Sequence, residues 1–313
     1  MNGENEVYID RCEAYTIENI VSFLDKSTPI FYPLAGLNGA KVLLKPNLIS
    51  SRGKGCGCTH PCVVVGVVRW LINHGAIVYL GDSPAFGSVT SVLEKLGLTE
   101  ILSDLGVGIV EFKTGRRVVL SSGVKLVLAA ELFEYDLVVN LPKIKAHDQL
   151  FMTMAVKNFF GAVKGFHKAR LHMSHGGRVH DFADILLELL AVLPTNVTIA
   201  DGVEVMHRRG PLGGESLMLG VMAAAINPVA LDIAMLALLE LDFQKSPVHL
   251  LAHRKKKKGV RLSELVFPIL DPSSFKGSCF VAPERLSPVR FHPLRYLSGL
   301  IKRILLNNRL RFL

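Results

Sequence analysis

Residues 41–84 read KVLLKPNLISSRGKGCGCTHPCVVVGVVRWLINHGAIVYLGDSP. Lys41 to Leu44 has the apolar, β-branched character of a buried strand, and Pro46 stops it. Thr59 is placed to cap the next helix, with Pro61 in its first turn; Val63 to His74 supplies that helix and Gly75 ends it. Ala76 to Leu80 is a second strand, followed at once by Gly81-Asp82-Ser83-Pro84. Strand, loop, helix, strand and loop in this order make a βαβ unit. It brings loops 45–60 and 81–88 to one edge of a parallel sheet, where open α/β sheets collect their ligands. Lys45, Asn47, Thr59, His60, Asp82 and Ser83 thereby become site candidates. For Lys45 the plain alternative is solvation of a strand end, and for Asp82 an Asx-turn or helix cap.

Outward from this unit the alternation continues. A strand near Val7 and a helix over Thr16–Asp25 precede it, and helices over Val89–Leu96 and Thr99–Leu105 follow it. Val107–Phe112, Arg117–Leu120 and Val124–Ala129 read as short strands that form a small β excursion near 107–129. Tyr135–Leu141 is again a continuous apolar strand. Further on come a helix over Asp181–Leu193, a strand Val197–Ala200 ending in Asp201-Gly202, a glycine-rich loop at 210–214, a strand Leu219–Ala225 and a helix Val229–Glu240. The expectation is an α/β fold with a mostly parallel, doubly wound sheet flanked by helices. One α/β domain over 1–245 is expected, divisible into lobes of about 1–135 and 136–245, with a basic tail over 246–313.

The chain has 313 residues, half of them hydrophobic, enough for a sizeable core, and a formal charge of +9 that favours anionic partners. Five cysteines, an odd number, and a polar N-terminus without an apolar leader predict a reducing, cytoplasmic setting. The tail from Arg290 carries five arginines and one lysine but no acidic residue. Leu297, Leu300, Ile301, Ile304 and Leu305 recur in it at helical spacing. A basic amphipathic helix over 290–313 would lie on an anionic membrane surface; packing on its own domain is the plain alternative.

The densest chemistry lies in residues 136–180, DLVVNLPKIKAHDQLFMTMAVKNFFGAVKGFHKARLHMSHGGRVH. After Pro142, Lys143, Lys145 and His147 arrive at alternate positions, on one face if the backbone stays extended. A helix from about Thr153 is expected to carry Lys157, Asn158 and Lys164, the two lysines sharing a face two turns apart. Such a set holds a carboxylate or phosphate, or stabilises developing negative charge. A desolvated lysine among cations also becomes a base or an amine nucleophile. A solvated basic rim is the competing reading. His147 or His60 is the acid/base candidate, with Asp82 or Asp201 orienting it or holding a cation. His172 is a further candidate, and Gly213 and Gly214 belong to the loop facing these groups. Isomerisation and redox chemistry beside a carboxylate both fit this set.

Two cofactors are compatible with the residue types. A divalent metal would draw on His60, His147 or His172 with Asp82 or Asp201, although HExxH and zinc-finger spacings are absent. An iron–sulfur cluster would draw on Cys56, Cys58 and Cys62, a set short of the usual four ligands. Nucleic acid is an unlikely partner, because the basic residues are not interleaved with aromatics.

KVLLKPNL, THP, GAIVYLGDSP, DLVVNLPKIKAH, TMAVKNFFGAVKG, VTIADGV, GPLGG and AAINPVALDIAM occur in this order over about residues 40–242. Together they resemble the DUF362 family. The resemblance places Lys45, Asn47, Thr59, His60, Asp82, Ser83, Lys143, Lys145, His147, Lys157, Asn158, Gly161, Lys164, Asp201, Gly202, Gly213, Gly214 and Asp232 on shared motifs. Many members of that family carry an added ferredoxin-type segment with two four-cysteine clusters. These 313 residues contain no such segment, which leaves open a separate ferredoxin-like redox partner for an electron-transfer role. A looser likeness, in strand order and in lysines and histidines set after strands, is to the nickel-dependent lactate racemase group.

Overall fold

A computed structural model describes residues 3–34, 36–49, 55–84, 87–164, 168, 171 and 179–287. His172 and the expected tail helix over 290–313 lie outside the described residues.

In chain order the elements are β1 (Val7–Arg11), α1 (Ile17–Lys26), β2 (Lys41–Pro46), α2 (Pro61–Asn73), β3 (Ile77–Asp82), α3 (Val89–Lys95), α4 (Thr99–Asp104) and β4 (Gly108–Glu111). Then come β5 (Gly115–Val119), β6 (Lys125–Ala129), β7 (Leu137–Leu141), β8 (Lys143–His147), β9 (Phe151–Thr153) and the one-turn helix α5 (Ala155–Asn158). The series closes with α6 (Val179–Leu189), β10 (Asn196–His207), β11 (Glu215–Ala225), α7 (Pro228–Leu238) and α8 (Pro247–Arg254).

The main sheet runs β1-β11-β10-β7-β2-β3-β4. From β10 to β4 every neighbouring pair is parallel, and β11 with β1 closes one side antiparallel. Helices cover both faces, which is why β2 and β7 read as unbroken apolar runs rather than alternating ones. Val42, Leu44, Val139 and Ile199 pack with α1 to α4 on one face. Ala200, Val205 and Ala223 pack with α6, α7 and α8 on the other. Past residue 245 the chain stays on this body: Val248, Ala252, Val260, Leu265 and Phe275 join the second core.

Four local expectations give way. Val107–Phe112 is not part of a separate excursion: β4 pairs in parallel with β3 inside the main sheet, and only β5 and β6 form the outlying hairpin. Thr59 is not the cap of α2. His60 is, its Nδ1 accepting from the Cys62 amide, while Thr59 is drawn to β2 and β7 by hydrogen bonds with the Asn47 amide and the Leu141 carbonyl. No long helix starts at Thr153, because β9 takes residues 151–153 as the return strand of β8, and α5 then passes into a 3-10 turn, Phe159–Ala162.

Asp201, finally, is not at the end of a strand. β10 continues through it because β11 pairs on one side, while on the other β8 takes over where β7 stops. Pro142 marks that changeover; lacking an N–H it breaks the ladder, yet its carbonyl accepts from the Asp201 amide at 2.9 Å. The turn at 208–214 then leads from β10 into β11.

Candidate anion-binding site

From β2 the chain winds one way to β3 and β4, and the later strands β7 and β10 lie on the other side of β2. The gap between the carboxyl ends of β2 and β7 is therefore the topological switch point, the crevice where such sheets hold ligands. Lys45, paired with Asn140, and Pro46, paired with Leu141, stand at that gap.

Two polar networks meet there. In the first, Lys45 is 0% exposed and its ammonium is 2.9 Å from Asp82 Oδ1 at the end of β3. That oxygen has no aligned hydrogen-bond donor, so the contact is ionic, while Oδ2 accepts from the Leu48 amide at 3.0 Å. Gly161 lies over the pair: a Cβ there would sit 2.4 Å from Lys45 Nζ and 2.6 Å from Asp82 Oδ1. Only glycine lets the 3-10 turn after α5 approach so closely.

An amide chain runs beside this pair. Lys145 Nζ donates to Asn47 Oδ1 at 2.5 Å and to the Gly57 carbonyl at 2.7 Å. Asn47 Nδ2 donates to Asn158 Oδ1, and Asn158 Nδ2 to Asn140 Oδ1, at 2.6 and 2.8 Å. Asn140 Nδ2 donates in turn to Thr198 Oγ1 and the Ala155 carbonyl, each at 3.2 Å. Lys157, next to Asn158, is half-buried, and its ammonium lies 5.2 Å above the Phe160 ring. Among the described residues it has no hydrogen-bond acceptor.

In the second network Asp201, 0% exposed, accepts from Lys143 Nζ and the His60 amide on Oδ2, each at 2.9 Å, and from the Tyr15 hydroxyl on Oδ1 at 2.8 Å. Tyr15 also accepts from Lys143 Nζ at 2.6 Å and from the Glu204 amide at 3.0 Å, and its ring stacks on His60 with centroids 3.5 Å apart. Burial, and then the Asp201 charge, push the Tyr15 hydroxyl far above its ordinary pKa, so it stays protonated and donating. Burial lowers the His60 pKa, opposed by Asp201 and aided by Lys143. Its Nδ1 is the acceptor of the α2 cap, so the neutral ring carries its hydrogen on Nε2.

These lysines are no solvated rim. Lys45, Lys143 and Lys145 are among the largest fully buried side chains of the protein. Desolvation carries the Lys145 pKa down to about 7, with Lys157 and Lys143 adding to the fall against Cys58 and Asp82. Lys157 falls to about 8, through the dense protein around its ammonium and then the Lys45 charge. Because the folded value lies below the unfolded one, the unfolded chain binds more protons between about pH 7 and the ordinary lysine value of 10.5, and Lys145 makes stability rise with pH across that window. Chemical denaturation is expected to show this rise in the wild type and a flatter one in Lys145→Met; parallel curves would contradict it.

The remaining candidates are placed less centrally. His147 is buried, and its Nδ1 accepts from the Gln149 and Leu150 amides, which ties the ring to the turn into β9. Lys164 does not share a face with Lys157. The 3-10 turn has ended before it, and its ammonium reaches the Lys113 carbonyl beside the β5–β6 hairpin. The Ser83 carbonyl accepts from Lys168 Nζ at 2.6 Å, a contact to the switch-point edge by a residue that sequence reading had not singled out. Gly213 has φ 75, and Gly214 leaves a Cβ no room, 2.2 Å from the Arg209 carbonyl. The turn they close is held by paired hydrogen bonds between Asp148 and Gly210.

The cysteines do not build a cluster site. Cys58 is buried with its sulfur accepting from the Ile49 amide, and Cys62 lies in the first turn of α2. Among the described residues no group of three or more histidine, cysteine, aspartate or glutamate side chains is arranged to hold a metal ion. The described donors therefore fit neither the divalent metal nor the cluster that the residue types suggested.

Among the described residues no helix is long and apolar enough to cross a membrane. The "Thylakoid-associated protein sll1697" of Synechocystis sp. (strain ATCC 27184 / PCC 6803 / Kazusa) is 35% identical over 288 residues, covering 90% of this chain and 89% of that protein. Two solved structures are similar to the chain at low identity. The lactate racemase apoprotein from Thermoanaerobacterium thermosaccharolyticum is 13% identical with a TM-score of 0.43, over 71% of this chain and 54% of that one. A protein from Thermotoga maritima is 12% identical with a TM-score of 0.43, over 69% of this chain and 57% of that one. The chain thus spans little more than half of either structure. A family model described as "Domain of unknown function (DUF362)" matches residues 42–237, and the chain belongs to that family.

Proposed function

We propose that this protein is an enzyme that binds a small carboxylate or phosphate at the switch point and moves a proton on it. One observation carries the reading. Lys157, a half-buried residue, presents a desolvated ammonium with no hydrogen-bond acceptor among the described residues, next to the charge of Lys45. A cation desolvated without an acceptor is costly in an isolated fold and is relieved by an incoming anion. Lys145 is the proton carrier. When neutral, its two hydrogens are held by Asn47 Oδ1 and the Gly57 carbonyl, and the lone pair is left to accept. A value of about 7 lets it both take and return a proton near neutrality. This favours isomerisation next to a carboxylate over redox chemistry. Incubating the protein with a panel of 2-hydroxy and 2-oxo acids in deuterated water tests it by NMR. Deuterium should enter the carbon beside the carboxylate of a 2-hydroxy acid, or the carbon beside the carbonyl of a 2-oxo acid, and be lost in Lys145→Met. Exchange unaffected by that substitution would overturn the assignment of Lys145.

A second reading concerns location. A relative of 35% identity is thylakoid-associated, and residues 290–313 are basic with apolar residues at helical spacing. We propose that this segment holds the protein against an anionic membrane surface. Vesicles containing phosphatidylglycerol should sediment the full chain at low salt and release it at high salt. Removing residues 290–313 should abolish sedimentation and leave the thermal melt unchanged; undiminished binding of the truncated chain would refute the assignment.

A further inference from the structure

Lys157 differs from the lysines around it. Lys45 has the Pro46 carbonyl beside its ionic contact with Asp82, Lys143 has Asp201 and Tyr15, Lys145 has Asn47 and the Gly57 carbonyl, and Lys164 has the Lys113 carbonyl. Lys157 alone among these five lacks a hydrogen-bond acceptor within the described residues, and it alone of the switch-point four is not fully buried. Its backbone is fixed from below. Asp232 of α7 accepts from the Ala155 and Val156 amides at 2.7 and 3.2 Å, and Asn158 is locked in the amide chain. The backbone that carries Lys157 is thus fixed, while its amine has no acceptor among the described residues.

An amine so placed does more than attract an anion. We propose that Lys157 is a nucleophile that condenses with the carbonyl group of a 2-oxo acid to form an imine. The inference rests on the oxyanion reading above: the charged form of Lys157 draws the carboxylate of the substrate in, and its deprotonated form attacks the carbonyl next to that carboxylate. Proximity to Lys45, whose ammonium lies 2.9 Å from Asp82 Oδ1, favours the neutral amine of Lys157, the form that attacks. Its value of about 8 leaves a usable neutral fraction near neutral pH.

The step balances without an oxidant or a metal. The Lys157 lone pair forms a bond to the carbonyl carbon, and the carbonyl π pair moves to oxygen, which takes a proton. The resulting carbinolamine loses its hydroxyl as water, using a proton that the ammonium of Lys145 can supply. The first of the two hydrogens on that leaving oxygen is the one the nitrogen gives up as the carbinolamine forms. The nitrogen lone pair then closes the C=N bond as water departs, leaving a protonated imine with one hydrogen on nitrogen. That cation withdraws electrons from the adjacent C–H bond, the bond whose proton Lys145 is proposed to move. The two near-neutral amines therefore take different parts, one as the covalent electron sink and one as the acid/base.

Reductive trapping tests this on the full chain. The protein is incubated with pyruvate and sodium cyanoborohydride, then examined by intact mass and peptide mapping. The expected result is one reduced pyruvate adduct per chain, located on Lys157, forming faster as pH rises through about 8 until the carbinolamine step lacks protons. Acetone, a carbonyl without a carboxylate, should label far more slowly. Lys157→Ala should abolish the adduct. Lys157→Arg should abolish it too while retaining the rise in melting temperature given by inorganic phosphate. Scattered labelling of surface lysines at the same rate in wild type and Lys157→Ala would overturn the proposal. If phosphate still stabilises the wild type in that case, the imine fails and the oxyanion site stands; if phosphate has no effect either, both fail.

Discussion

Replacing Asp201 with alanine is expected to cost about 3–5 kcal/mol of folding stability. The carboxylate is buried on β10 and gathers the Lys143 ammonium, the Tyr15 hydroxyl and the His60 amide. Its removal leaves a cation and two donors without their acceptor in a place water cannot easily reach. Losing a neutral hydrogen bond would cost about 1 kcal/mol; the larger figure follows because the charge of Lys143 is left uncompensated. Three segments distant in sequence also lose their common tie: the approach to α1, the start of α2 and the strand β8. Urea unfolding measures the loss, and a change within about 0.5 kcal/mol would show that the Lys143–Asp201 pair is not closed as described. The double variant Asp201→Ala with Lys143→Met should recover part of the stability, since it removes the stranded charge.

Asp232→Ala is the second substitution with a large expected effect, about 3 kcal/mol. Asp232 lies 1% exposed on α7, under the amino end of α5. Its two oxygens accept from the Ala155 and Val156 amides, and Oδ2 also meets His249 Nε2 at 3.2 Å, while His249 Nδ1 is 2.7 Å from Ser246 Oγ. A one-turn helix cannot hold itself together, since its first amides have no partners within it. Here a carboxylate from another helix supplies them. The substitution should therefore weaken anion binding as well as the fold, because α5 carries Lys157 and Asn158. Asp232→Asn keeps one oxygen and should be milder in both respects. A stable Asp232→Ala protein with unaltered phosphate affinity would show that α5 is positioned by something else.

The sequence and the structure agree best where chemistry is local. KVLLKP and AIVYLGD were legible as parallel strands because both faces of the sheet are covered, and Lys45 and Asp82 were legible as strand-end groups because Pro46 and Pro84 stop the runs. Asn140 was passed over inside the apolar run DLVVNL, although an amide in a fully buried strand must find partners; that requirement was the available signal. Tyr15 gave no such sign. It precedes α1 in an unremarkable loop and reaches Lys143 only because β1 and β11 fold back beside β10, 128 residues away. Asp201 was identified as a site residue but misplaced on a loop, because the second half of β10 depends on β8 and β11, whose pairing no local pattern reveals. Lys157 and Lys164 were joined on one helix by a spacing that holds only if the helix continues. Gly161 and the 3-10 turn separate them, and that turn exists to bring backbone against Lys45 and Asp82.

On the function proposed above, the switch point holds a small oxyanion against Lys157. Calorimetric titration of the full chain with inorganic phosphate and with pyruvate tests it most directly, at pH values well below and well above the Lys157 value of about 8. Lys157 is charged below that value and neutral above it, so phosphate should bind saturably at the lower pH and more weakly as pH rises, and Lys157→Ala should strongly reduce that binding at the lower pH. Absence of binding by both anions, or binding indifferent to pH and to Lys157, would contradict it.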